Sequence, residues 1–102
     1  MVTMYRQGDV LLVATEATPS GKKVKAEAGR LILARGEATG HHHSVSARNA
    51  TMFDEAGKLL LVVADQATLD HQEHSAIEVA PGAYWVVRQR EYTPEEIRRV
   101  QD

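Results

Sequence analysis

Short apolar runs separated by turn-forming residues recur along the whole chain, and this pattern predicts β-strands rather than helices. The runs cover residues 9–13, 31–34, 41–48, 51–53, 59–63, 75–79 and 83–92. We expect a hairpin turn at 54–58 and a polar loop or a single helical turn over 64–74. Trp85 lies in the strongest predicted strand, which is rich in aromatic and β-branched residues, so we expect it to be substantially buried. Some seven or eight short strands without a long helical period predict a mostly-β fold, either a small β-barrel or a β-sandwich.

The C-terminal segment carries the pattern of a helix start. Thr93 is suited to the N-cap, Pro94 to the first helical position and Glu96 to the position that closes a capping box. We therefore predict a single β domain over 1–102 with one short helix at about residues 94–101.

The composition of the 102 residues is 43% hydrophobic and 25% charged, with a formal charge of −2 and no cysteine. The lack of cysteine excludes disulfides and thiolate-bound metal sites. No apolar run approaches the roughly 20 residues that span a bilayer, and the N-terminus lacks a signal-peptide pattern, so we expect a cytoplasmic protein without a membrane partner. The net charge gives no general attraction for nucleic acid, although residues 21–35 are basic and 54–78 acidic.

All five histidines fall in two short segments, 41–43 and 71–74. If 41–48 is a strand, its side chains alternate, so His41 and His43 share the inward face with Val45 while His42 points outward. Imidazole is the commonest neutral metal ligand, and two inward histidines supply half of a coordination shell. The sequence therefore predicts a divalent transition metal (Zn, Fe, Ni, Cu or Mn) bound by His41, His43, His71 and His74.

Two carboxylates flank the histidines and are candidates for acid–base catalysis, Glu73 and Glu37. A metal with an open coordination position would activate water for hydrolysis or isomerisation of a small polar substrate. However, continuing the alternation of the 75–79 strand backwards turns Glu73 inward and His74 outward. An alternative metal site is therefore His41, His43 and Glu73.

Two further functional interpretations stay open. Histidine titrates near neutral pH, so the cluster is also compatible with acid–base chemistry without a metal. In a non-enzymatic binding or adaptor module the histidines would be structural or incidental, and a partner would contact the basic segment 21–35 or the strand at 83–92. A small-molecule ligand and a homo-oligomer are compatible with these interpretations.

From residue 36 to about 87 the chain resembles a cupin, with His-x-His on a strand after a glycine and Pro81-Gly82 further on. Cupins place a glutamate shortly after His-x-His, where this chain has 44–47 (Ser-Val-Ser-Ala), and a second histidine pair replaces their later lone histidine. The resemblance implies a metal-binding β-barrel whose motif positions are His41, His43 and either His71 or His74.

Two other segments, MYRQGDVLL at 4–12 and PGAYWVVRQREY at 81–92, resemble a group of small bacterial and phage-associated proteins of unassigned function. This likeness spans most of the chain. It implies no activity, so the functional prediction depends on the histidines.

Overall fold

The computed structural model describes residues 3–36 and 40–89, which form ten β-strands and no α-helix. The strands are β1 Met4–Gln7, β2 Val10–Thr15, β3 Lys22–Lys23, β4 Arg30–Arg35, β5 His42–Ser46, β6 Ala50–Glu55, β7 Lys58–Val63, β8 Ala67–Leu69, β9 Ile77–Val79 and β10 Gly82–Arg88. The prediction of a mostly-β fold is confirmed. The predicted helix at 94–101 and Glu37 lie outside the described residues.

Six strands form one antiparallel sheet in the order β1-β2-β10-β7-β6-β3, while β4 pairs with β5 and β8 with β9. Two backbone hydrogen bonds between Ser44 and Asp70, of 3.0 and 2.8 Å, join β5 to the end of β8. The two hairpins thereby form a second layer. The described strands do not close into a barrel. The structure therefore agrees with an open, layered arrangement rather than with the predicted small barrel.

The main hydrophobic core lies between the layers and takes side chains from both of them. Leu12, Leu61 and Tyr84 come from the six-stranded sheet, and Val45 and Leu69 come from the hairpins. Burying a side chain of this size contributes roughly 1.5–3 kcal/mol, so the apolar positions found in the sequence dominate the stability of the fold.

A second, smaller cluster of Leu11, Val13 and Val87 lies on the opposite face of the six-stranded sheet. Trp85 packs against this cluster and is only half-buried. The predicted burial of Trp85 is therefore observed in part, against this smaller cluster and not in the main core. Its neighbour Tyr84 takes the place in the main core, because successive side chains on a strand point to opposite faces.

The predicted hairpin at 54–58 is confirmed, with Ala56 (φ 57°) and Gly57 (φ 92°) linking β6 to β7. Ala28 (φ 51°) and Gly29 (φ 78°) turn the chain in the same way before β4. Positive φ at both central residues is the signature of a type I′ turn, whose twist matches that of the flanking strands.

The prediction for 64–74 needs a correction, because β8 lies inside the segment that was expected to be a loop or a helical turn. Ala67 and Leu69 face the core and Thr68 faces outward. An alternation of only three residues among polar neighbours gives little sequence signal.

In the described part of the chain, no helix is long and apolar enough to cross a membrane.

Candidate histidine site

Four imidazole rings meet beside the start of β5. The rings of His71 and His43 have centres 4.4 Å apart, and His71 also lies 4.7 Å from His74 and 5.7 Å from His41. The centres of His43 and His74 are 6.0 Å apart. The structure therefore brings together all four histidines that the sequence assigned to the metal site, with His71 in the middle.

The two inward positions predicted for β5, His43 (3% exposed) and Val45, are buried. His41 is more open, with 26% of its side chain exposed, and precedes the strand. His42 makes none of the ring contacts described above, and its backbone N–H donates to Gln72 Oε1 at 2.8 Å.

Ser44 has the same parity as His42, so the predicted alternation would turn it outward, yet it is buried. The Arg30 guanidinium covers it and donates to both Ser44 oxygens at 3.1 Å. Arg30 also forms an ion pair of 2.9 Å with Asp70. These contacts hold β4, β5 and the end of β8 together directly beneath the histidine segment.

The second histidine pair reaches the site because residues 71–76 lie outside the strands. A backward extension of β9, which would have turned Glu73 inward, is not observed. The Glu73 side chain is 68% exposed, and its Oε1 atom lies 3.5 Å from His41 Nδ1. Glu73 is thus beside one histidine of the cluster and open to solvent.

Gln7 fixes the protonation of His43. This side chain is 2% exposed, and its Nε2 donates to the carbonyl oxygens of Leu69 at 3.0 Å and Ser75 at 2.9 Å. With both amide hydrogens engaged in this way, its Oε1 faces His43 Nδ1 at 2.8 Å and accepts the hydrogen bond. His43 therefore carries its proton on Nδ1 and presents a free lone pair on Nε2, the arrangement typical of a metal-binding histidine.

His71 has the opposite arrangement. Its Nδ1 accepts the backbone N–H groups of Glu73 at 3.0 Å and of His74 at 3.3 Å. A neutral imidazole has one lone pair, so the other nitrogen, Nε2, carries the proton. In the observed structure the lone pair of His71 binds the backbone of its own loop.

Burial lowers the pKa of His43 to about 4, helped by the adjacent His71 and opposed by Asp9. Burial also lowers the pKa of His71, with the charges of His74 and His41 acting in the same direction. Both rings are therefore neutral at pH 7, and neutral imidazole is the form that binds metals.

The sequence analysis missed three residues that contact this cluster: Gln7 at the end of β1, and Gly8 and Asp9 in the turn to β2. A methyl group on Gly8 would lie 2.8 Å from His74 Nε2, so the His74 ring sits directly on the glycine backbone. Asp9 Oδ1 lies 3.9 Å from His43 Nε2. The available signal was the polar Gln-Gly-Asp break between two apolar stretches, which by itself indicates only a turn.

In the described part of the chain, no group of three or more His, Asp or Glu side chains is arranged to bind a metal ion as it stands. The engaged lone pair of His71 is one physical reason. The rings are close enough to share an ion, but the one at the centre must first turn its lone pair away from the backbone.

The family model described as "Domain of unknown function (DUF8820)" matches residues 6–89. This range includes Gln7 and all four converging histidines. No curated protein and no solved structure matches the chain. The match agrees with the resemblance to small proteins of unassigned function, and it provides no link to cupins.

Proposed function

The chain belongs to the DUF8820 family, whose description assigns no activity, and we propose that its histidine cluster binds one divalent transition-metal ion. The ligands would come from His41, His43, His71 and His74. The observation that carries this proposal is the spacing of the rings. With a metal–nitrogen distance of about 2.1 Å, imidazoles on one tetrahedral ion have ring centres about 5 Å apart. The contacts among the four rings run from 4.4 to 6.0 Å.

Binding would require His71 to release two backbone N–H groups. Each such hydrogen bond contributes about 1 kcal/mol, whereas structural zinc sites gain about 10–16 kcal/mol of apparent binding free energy. His71 lies outside the strands, so its ring can turn without disturbing β5 or β8. The cost of forming the site is therefore small compared with the gain from an ion.

An all-nitrogen donor set without thiolate suits Zn, Fe, Ni, Cu or Mn. If all four histidines bind, the metal is structural. If three bind, the open position would make the ion a Lewis acid toward water or a small polar substrate, and hydrolysis or isomerisation would be the reaction class. Glu73 is then the acid–base group, because its exposed carboxylate lies beside His41. Glu37, the other acid–base group that the sequence suggests, lies outside the described residues.

Elemental analysis of untagged protein, loaded with Zn²⁺ or Co²⁺ and desalted, tests the proposal. We expect about one ion per chain, and a large loss of metal in His43→Ala and His71→Ala. His42→Ala is the matched control, because its ring contacts none of the other four, and it should retain the metal. Metal-free wild-type protein after loading, or equal losses in all three variants, would reject the site.

The occupied lone pair of His71 favours a second candidate function, a non-enzymatic binding module. Here the histidines would hold residues 71–74 against β5 without any ion, since the observed hydrogen bonds satisfy His43 and His71. His71→Ala would then lower the free energy of unfolding equally with and without added Zn²⁺. Under the metal proposal, added Zn²⁺ should stabilise wild-type protein but not this variant.

A further inference from the structure

A groove of about 430 Å³ opens between the two layers, and it shares no residue with the histidine cluster. It is lined by Lys23, Val24, Lys25, Ala26, Leu31, Ala47, Ala50 and Thr51. Small-molecule sites are usually concave, largely apolar and about 300–1,000 Å³ in volume, so its size suits a small ligand.

The floor of the groove is part of the main hydrophobic core. Leu31 and Ala50 are buried members of that core, and Val24, Ala26 and Ala47 pack against it. Three of the lining residues are alanines, whose short side chains leave space that larger apolar residues would fill. A ligand in this groove would therefore place an apolar group against the core.

The rim of the groove carries positive charge. Within the described residues, Lys23 and Lys25 have no carboxylate partner within salt-bridge distance. In the same basic segment, Arg30 and Arg35 are paired with Asp70 and Glu27. The two lysines are thus the cations of the lining that acidic side chains leave uncompensated.

The carboxylates next to β3 are engaged by neutral donors instead. Glu55 accepts the backbone N–H groups of Gly21 at 2.8 Å and Ser20 at 3.0 Å, and these bonds lower its pKa. Asp54 Oδ1 accepts the N–H of Gly57 at 2.7 Å. The hydrogen bonds hold the Asp54 carboxylate at the β6–β7 turn and the Glu55 carboxylate at the segment before β3, and neither forms an ion pair with Lys23 or Lys25 in the described residues.

We propose that this groove binds a small amphipathic carboxylate, such as a medium-chain fatty acid. The apolar chain lies against Leu31 and the alanines, and the carboxylate lies between Lys23 and Lys25. An inorganic anion would leave the apolar floor empty, and a neutral hydrocarbon would leave the two ammonium groups unused. The site is independent of the histidine cluster and does not rest on metal binding.

Titration of ¹⁵N-labelled protein with octanoate, followed by amide chemical shifts, tests the proposal. We expect saturable shifts confined to the lining residues. Acetate tests the anion alone, and 1-octanol tests the chain alone; both should bind at least about tenfold more weakly if each end of the ligand contributes about 1.4 kcal/mol. Equal binding of 1-octanol and octanoate, or no saturable shift with octanoate, would overturn the proposal.

Two kinds of variant separate the contributions of the rim and the floor. The double variant Lys23→Gln, Lys25→Gln removes both charges but keeps a polar side chain at each position, and it should weaken octanoate about fivefold to tenfold, as expected for partly solvated ion pairs. Ala47→Leu fills the groove and should abolish binding, and Ala26→Leu provides a second test if that variant misfolds. Unchanged affinity in the lysine variant, or in a folded leucine variant, would refute the assigned pose.

Discussion

Replacement of Gln7 by leucine is the most informative test of how the histidine site is built. The change removes the acceptor for His43 Nδ1 and the donor for two carbonyl oxygens, those of Leu69 and Ser75. Each buried group left without a partner costs about 1–3 kcal/mol. Allowing for water entering from the loop side, we expect a loss of about 3–5 kcal/mol, a large part of the 5–15 kcal/mol typical of a domain.

Urea unfolding at pH 7 measures this loss, and Gln66→Leu is the matched control. Gln66 is exposed and donates to Glu78 on the surface, so its replacement should cost less than about 1 kcal/mol. A Gln7→Leu variant within 0.5 kcal/mol of wild type would show that the three hydrogen bonds do not hold the loop.

A spectroscopic measurement separates the positioning of His43 from stability. In wild-type protein treated with chelator, ¹⁵N chemical shifts of the His43 ring should show the proton on Nδ1. Detection of the Nε2–H tautomer would refute the argument from Gln7. Metal affinity of folded Gln7→Leu should fall about 10–100-fold, as is typical when the partner of a ligating histidine is removed.

Three further predictions concern pH and turns. Because the folded-state pKa of His43, about 4, lies below the ordinary histidine value of 6.5, the unfolded chain binds more protons between these values. The stability of the metal-free protein should therefore be constant above pH 7 and fall by up to about 3 kcal/mol from pH 6.5 to pH 4; urea titrations showing the opposite slope would contradict this. Ala28→Asn and Ala56→Asn should each raise the free energy of unfolding by about 0.5–1 kcal/mol, since asparagine tolerates the positive φ at these positions. The control Ala64→Asn lies at a position without positive φ and should not raise the free energy of unfolding. Gly21→Ala would place a methyl group on the carbonyl oxygen of Asp54 and displace β3, costing about 1–3 kcal/mol in urea unfolding, more than Gly36→Ala.

Most of the fold could be predicted because strand formation follows local alternation of apolar and polar residues. The runs that became β2, β4, β7 and β10 are apolar and bounded by turn residues, so their positions follow from the sequence. The three-residue strand β8 was missed because its stability comes from pairing with β9 and β5 rather than from its own pattern. Likewise, local apolarity suggested that Trp85 is buried, although only the sheet order decides which face of β10 meets the main core.

The candidate site was partly predictable for the same reason. Strand alternation placed His43 and Val45 inward, and this is a local property. The position of His71 depends on the bridge between Ser44 and Asp70, which joins distant parts of the chain. The role of Gln7 depends on contacts 36 and 62 residues away, and no spacing rule indicates which buried amide will meet which histidine.

The hydrogen bonds of Gln7 would also let the same loop fold with and without the proposed metal. Gln7 holds the carbonyl oxygens of Leu69 and Ser75, which lie at the two ends of the segment carrying His71 and His74. Both ends stay fixed whichever partner the lone pair of His71 takes. A change from the backbone N–H groups of Glu73 and His74 to a metal therefore requires movement only between these anchors. His43, with its lone pair already free, would bind the ion first, and His71 would follow as the ligand that closes the loop.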